Sequence, residues 1–163
     1  MDKINVTQNQ FSDLINLING VFFPLKNFVT KEEFFTIVNK GKFQGKFFPM
    51  PIFFGINKKI YLNLKNKNVF DLYYKKKYLL NIYNVKFYNI DKKFICRKIY
   101  GNNYQKHPYS KKFLKENYRF ISFNFQKINK KNLQHKNFFS PLLFKKKLNI
   151  NKISKLAGFH TRN

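Results

Sequence analysis

Between residues 19 and 28 the sequence reads Asn-Gly-Val-Phe-Phe-Pro-Leu-Lys-Asn-Phe, a stretch through which a regular helix cannot run. Gly20 can take a positive φ at no steric cost, and Pro24 fixes its own φ while removing a backbone donor. One helix leads into this corner and another leaves it. Upstream, Thr7 and Gln10 form a capping box, and Phe11, Leu14, Ile15 and Ile18 then fall on one helical face. Downstream, Thr30 and Glu33 form a second box, Phe34, Phe35, Ile37 and Val38 turn inward, and Gly41 ends the run. Phe22, Leu25 and Phe28 lie between the two as buried anchors. The chain therefore opens as a helix–loop–helix corner with an aromatic plug.

The next stretch is extended. In Gly45-Lys46-Phe47-Phe48-Pro49-Met50-Pro51-Ile52 the prolines stand at alternate positions, which forbids a helix and forces an edge strand or loop. Ile60, Leu62 and Leu64 alternate with Tyr61, Asn63 and Lys65, the pattern of a half-buried strand, and Asn66-Lys67-Asn68 reads as a turn. Val69 to Tyr74 and Tyr78 to Val85 read as two more strands, separated by Lys75-Lys76-Lys77. Asp91 opens a short helix that carries Phe94, Ile95 and Ile99 inward. Residues 118–125 read as a strand, Gln126 to Lys136 as a polar loop, and Ser140-Pro141 as a capped helix start ahead of Leu142, Leu143 and Phe144. The fold class these segments predict is α+β, a small, partly closed β-barrel with short helices between its strands.

Charge enters because it points to a partner. Lys and Arg number 33 against 7 Asp and Glu, a net charge of +26 in 163 residues, which is the footprint of a nucleic-acid or anionic-surface binder. Yet Arg97, Arg119 and Arg162 are the only arginines. A reader of phosphate and guanine favours the bidentate fork of Arg over Lys. Lys, Asn, Ile, Phe and Tyr all have codons built from A and T, so mutational bias toward those bases accounts for the excess without a dedicated polyanion surface. The single cysteine, Cys96, excludes an intramolecular disulfide and a cysteine metal cluster, and its setting in Phe-Ile-Cys-Arg suits a small buried apolar residue. No signal-peptide pattern and no long apolar run is seen, so the expectation is a cytoplasmic protein without a membrane span.

Four separated stretches carry a resemblance. Asn19-Gly20, Phe22, Pro24-Leu25 and Phe28 resemble the opening of sulfate adenylyltransferases, the ATP sulfurylases. Gly45 to Ile52 resembles their Gly-x-x-Trp-Pro-x-Pro-Ile signature, with Phe48 in place of Trp and with Pro49 and Pro51 matching. Tyr100, Gly101, His107 and Pro108 match a third stretch, in which Asn102, Asn103 and Tyr104 replace two threonines and an aspartate. Phe159, Thr161, Arg162 and Asn163 are similar to the strand end that begins the catalytic domain of that family, with His160 replacing glutamine. Lys145 stands where the family carries an arginine, and Asp13 matches an acidic position. Read without the resemblance, Asp13 is a solvated charge near a helix N-terminus and His107 a hydrogen-bonded structural residue. The terminal residues are then a frayed basic end.

The resemblance implies a PUA-like N-terminal domain over residues 1–136 and, over 137–163, the incomplete start of an α/β nucleotidyltransferase domain. It implies sulfate and ATP as ligands of His160, Thr161, Arg162 and Asn163, with Arg162 on the sulfate. It implies neither a metal nor a bound cofactor, ATP being a substrate. In the family a sulfate oxygen attacks the α-phosphorus of ATP and expels pyrophosphate, a step served by two histidine-bearing motifs that this sequence does not contain. A fragment or divergent form, inactive alone, is therefore the expectation. The alternatives are a non-catalytic RNA-binding module, for which +26 would supply a salt-sensitive attraction, and a subunit that docks on a separately encoded catalytic chain or forms a homo-oligomer.

Overall fold

The computed structural model describes residues 2–116, 119–125 and 141–148. Both capping boxes form. Thr7 accepts from the Gln10 amide and Gln10 from the Thr7 amide, starting α1 (Gln8–Ile18). Thr30 and Glu33 repeat the exchange at the start of α2 (Lys31–Lys40), which Gly41 closes at φ 61°. Leu14, Leu17, Phe34 and Ile37 are buried, as a core-facing helical stripe requires. The corner between them is held by Leu25 and Phe28, both buried, and Gly20 takes φ 73°.

After α2 come a two-residue-armed hairpin, β2 (Lys42–Phe43) and β3 (Lys46–Phe47), and then β4 (Phe54–Ile56). The extended run over Pro49 and Pro51 leads directly into β4, as the alternate prolines demand. A helix follows instead of the expected strand. Residues Lys58–Leu64 form α3, capped by Asn57, whose side chain accepts from the Ile60 amide. The alternation of Ile60, Leu62 and Leu64 misleads because its outer members are also i, i+4 neighbours on a helix. Leu62, the member that distinguishes the two periods, is exposed while Leu64 is buried.

The two strands expected over 69–74 and 78–85 form as β5 (Val69–Tyr74) and β6 (Lys77–Tyr88), the second longer than expected, and pair as a hairpin turning through Lys75 and Lys76. Helix α4 (Lys92–Tyr100) starts on the Asp91 side chain, which accepts from the Phe94 amide. It buries Ile95 and Cys96, whereas Phe94 and Ile99, expected inward, are exposed. The apolar stripe is narrow here, and Cys96 takes the place expected of Ile99. Helix α5 (Pro108–Lys115) and strand β7 (Arg119–Phe125) follow, with α6 (Pro141–Leu148) after them. The cap Ser140, the expected loop 126–136, Tyr118 and the motif residue Phe159 lie outside the described residues.

The main sheet has the order β1-β5-β6-β7-β4, where β1 is Lys3–Asn5. It is antiparallel except at β1, which runs parallel to β5 with Ile4 opposite Leu72. The sequence did not reveal β1, because three residues carry too little periodicity to read. The sheet curls into a half-barrel, matching the expected class. Register shifts at Leu72/Tyr73 and Tyr83/Lys86 mark bulges, which bend strands and add twist. Aromatic rings tie the helices to the sheet: Phe34 of α2 and Phe113 of α5 both meet Phe120 of β7, and Phe28 meets Phe54 and Phe123.

Candidate functional site

The organising corner forms one wall of a groove of about 660 Å3. Opposite it stand the bulged part of β6, at Asn84 to Lys86, and the β7 residues Ser122 to Asn124. The hairpin residues Phe43 and Gln44 and the turn residue Asn68 also line it. The groove collects carboxamides from separate parts of the chain: Asn27, Gln44, Asn68, Asn84 and Asn124. Asn27 donates to the Asn124 side chain at 3.3 Å, while among the described residues Gln44, Asn68 and Asn84 make no side-chain hydrogen bond. Asn84 holds φ 53° at the bulge, a left-handed conformation that Asn tolerates better than most side chains.

Charge in this groove is positive. Lys26 and Lys86 line it. Among the described lining residues Glu33 is the single carboxylate, and it accepts from the Thr30 amide at 2.8 Å. At the hairpin end, Lys46 pairs in register with Phe43, and its ammonium sits 4.4 Å from the centroid of Phe23, the neighbour of the groove residue Pro24. Phe23 is 65% exposed, so a cation and an exposed ring stand together next to the groove residues Pro24 and Phe43. Such an arrangement can take an anion, a planar ring, or both.

A second groove, of about 980 Å3, is lined by the end of the proline-rich motif together with residues of α1, β4 and α5. Met50 to Phe53 and Tyr109 to Phe113 meet across it, with the rings of Phe53 and Phe113 5.6 Å apart. Gln10 of the first capping box donates to the Gly55 carbonyl at 2.6 Å and pins the edge strand β4 to α1. Asp13 lines this groove half-buried, and burial pushes its carboxyl above the usual range. It is not the solvated charge expected. Lys92 donates to the carbonyls of Leu114 and Glu116 at 2.7 and 2.8 Å, satisfying the end of α5, and burial lowers its ammonium.

Of the motif residues, Gly20, Pro24, Leu25 and Phe28 shape the first groove or its corner, with Phe22 packed against the core. Pro49 and Pro51 direct the chain into β4. Pro108 is the first residue of α5, whose cap position His107 occupies. His107 was expected to be hydrogen-bonded, but its ring stacks 4.1 Å from that of Tyr100 at 20°, and Nδ1 is buried with no partner among the described residues. Pairing a histidine with a tyrosine seven residues earlier through a helix and a tight turn leaves no periodic signal. His160, Thr161, Arg162 and Asn163 lie outside the described residues. Among the described residues no cluster of three His, Cys, Asp or Glu could hold a metal ion. No helix there is long and apolar enough to cross a membrane.

Compared with known proteins, the chain finds no match among curated sequences. A protein-family model described as a PUA-like domain matches residues 1–130.

Proposed function

This chain belongs to the PUA-like domain family, and on that premise we propose that it is the non-catalytic N-terminal module of a sulfate adenylyltransferase, a fragment or divergent form without turnover of its own. The observation that carries the reading is how the motif residues are spent. Leu25 and Phe28 are buried, Pro24 and Pro51 shape groove walls, and His107 stacks on Tyr100. All are scaffold. In this reading residues 1–136 are the PUA-like domain and 137–163 begin the nucleotidyltransferase domain. His160, Thr161, Arg162 and Asn163 are assigned to sulfate and ATP by resemblance alone, and chemistry would come from a separately encoded chain or from another subunit. The test is pyrophosphate release by the purified chain in ATP and sulfate, beside isothermal titration with each. No release above background is expected. Sustained adenylyl sulfate production overturns the reading.

A second reading, an RNA-binding module, is favoured by the distribution of charge. No Asp or Glu occurs between Glu33 and Asp71, while lysines continue through that stretch. Salt sensitivity alone does not distinguish it, because any protein of +26 binds polyanions electrostatically. Preference among RNAs of equal length does.

A further inference from the structure

We infer that the carboxamide-lined groove is a binding site for a nucleotide unit, with the base stacked on Phe23 and the phosphate held by Lys46 and its neighbours. The inference deepens the RNA-binding reading and rests on it only for the polymer form of the ligand; it is independent of the sulfate adenylyltransferase reading.

The argument starts from what a groove of this composition can recognise. A carboxamide presents a donor and an acceptor on one plane, which suits the edge of a base, and Asn68, Asn84 and Gln44 have both unspent among the described residues. An amide array alone would be indifferent to charge. Here Lys26 and Lys86 both line the groove, and Glu33, its carboxylate among the described lining residues, is turned to its helix cap. Ligands with a negative charge are therefore favoured over neutral ones.

The adjoining pair of Phe23 and Lys46 adds selectivity for a planar ring. Phe23 is exposed beside Pro24, and the Lys46 ammonium lies against its ring at 4.4 Å. Lys46 can stay near the ring edge while a phosphate draws its ammonium away, leaving a face for stacking. Aromatic rings beside a cationic groove are the common device of single-strand binding. The bulge supplies a further sign. Opening β6 between Tyr83 and Lys86 aims Asn84 and Lys86 at the groove, at the cost of ladder pairing and a left-handed residue. Phe47, though 81% exposed, alternates with Lys46 along β3 and stands on the other face of the hairpin. That makes it an internal control.

The experiment uses the full chain at about 150 mM salt, where bulk electrostatics is screened beyond roughly 8 Å. Titrations are run with AMP, with ribose 5-phosphate and with a fluorescein-labelled mixed-sequence RNA ten-mer. AMP, or the ten-mer alone if only the polymer is the ligand, is expected to bind, and ribose 5-phosphate more weakly. Phe23→Ala should weaken binding about ten-fold, Phe23→Tyr should restore it, and Phe47→Ala should leave it unchanged. Lys46→Gln and Asn84→Gly, both at exposed positions, should weaken it with the circular dichroism spectrum unchanged. Equal binding of AMP and ribose 5-phosphate, equal effects of Phe23→Ala and Phe47→Ala, or no binding of either nucleotide form overturns the inference. If the ten-mer binds with a preference among RNAs but ignores all groove substitutions, the groove assignment falls and the RNA-binding reading stands.

Discussion

The phenol of Tyr88 donates to the backbone carbonyl of Val29 at 2.9 Å, both residues being buried. Val29 in turn donates its amide to the Ile52 carbonyl at 3.0 Å. One residue thus joins the end of the central strand, the organising corner and the proline-rich segment. Tyr88→Phe removes the donor and strands a buried carbonyl, so a loss of about 1–2 kcal/mol is expected. It should be read as a lower urea midpoint at constant slope.

The same phenol sets an alkaline limit. Burial raises its pKa above the ordinary tyrosine range, with the Glu33 and Glu32 charges adding to the shift. A raised folded value contributes stability that is complete below the unfolded value, about 10, and is lost as pH climbs toward the folded one. Stability measured by urea unfolding from pH 9 to 11 should fall more steeply in the native protein than in Tyr88→Phe. Parallel slopes would place the loss elsewhere.

Gln10 distinguishes two capping boxes that look alike in sequence. Glu is as good as Gln at this position in an isolated box, and better near the positive end of a helix. Here the Gln10 amide nitrogen also donates to the Gly55 carbonyl, and Gln10→Glu would set a carboxylate against it. A loss of about 1–2 kcal/mol is expected for Gln10→Glu, against near neutrality for Glu33→Gln. Matched urea curves for the two variants check the contrast.

That contrast marks how much the sequence discloses. Thr7, Thr30, Gly41 and Asp91 punctuate helices by local hydrogen bonding, so a reader of the sequence can place them. Ile60 to Leu64 fails because two periods share two of its three apolar positions, and only the Asn57 cap separates them. The first groove is illegible for a different reason. Asn27, Gln44, Asn68, Asn84 and Asn124 come from five stretches, and in a chain rich in Asn nothing local sets them apart. Asp13 was matched to a family position, but it lines a groove shared with residues more than thirty positions away, such as Pro51 and Phe53, which its own neighbourhood in the sequence does not disclose.

Asp13 should respond to pH in the opposite sense to most carboxylates. Its folded value is raised by burial, so its contribution is fully favourable only below the unfolded value and is lost as pH rises through the folded one. Asp13→Asn keeps the shape without the charge. It should raise the melting temperature at pH 7 and give no gain at pH 3. A gain of equal size at both values would mean that the charge is immaterial.

The turn between β5 and β6 carries avoidable strain. Lys75 and Lys76 hold φ 48° and 65°, the left-handed pair of a type I′ turn, where Asn-Gly is strongly preferred. Their Cβ atoms crowd the backbone in that region, and a third lysine follows. Replacing Lys75-Lys76 by Asn-Gly should stabilise the protein by about 1–2 kcal/mol. Melting at low and high salt separates the causes, since relief of charge repulsion shrinks with screening and relief of steric strain does not.

The proposed boundary after residue 136 can be tested by shortening the chain. Among the described residues the buried core runs from Ile4 to Phe123, and the edge strands β1 and β4 are both inside that span. A chain ending at Lys136 keeps every described core side chain and every strand of the sheet. It should therefore unfold in one cooperative step with a urea midpoint and slope close to those of the full chain, because the slope follows the surface exposed on unfolding. A clearly smaller slope would mean that residues 137–163 bury surface against the PUA-like domain, and the boundary would have to move toward the C-terminus.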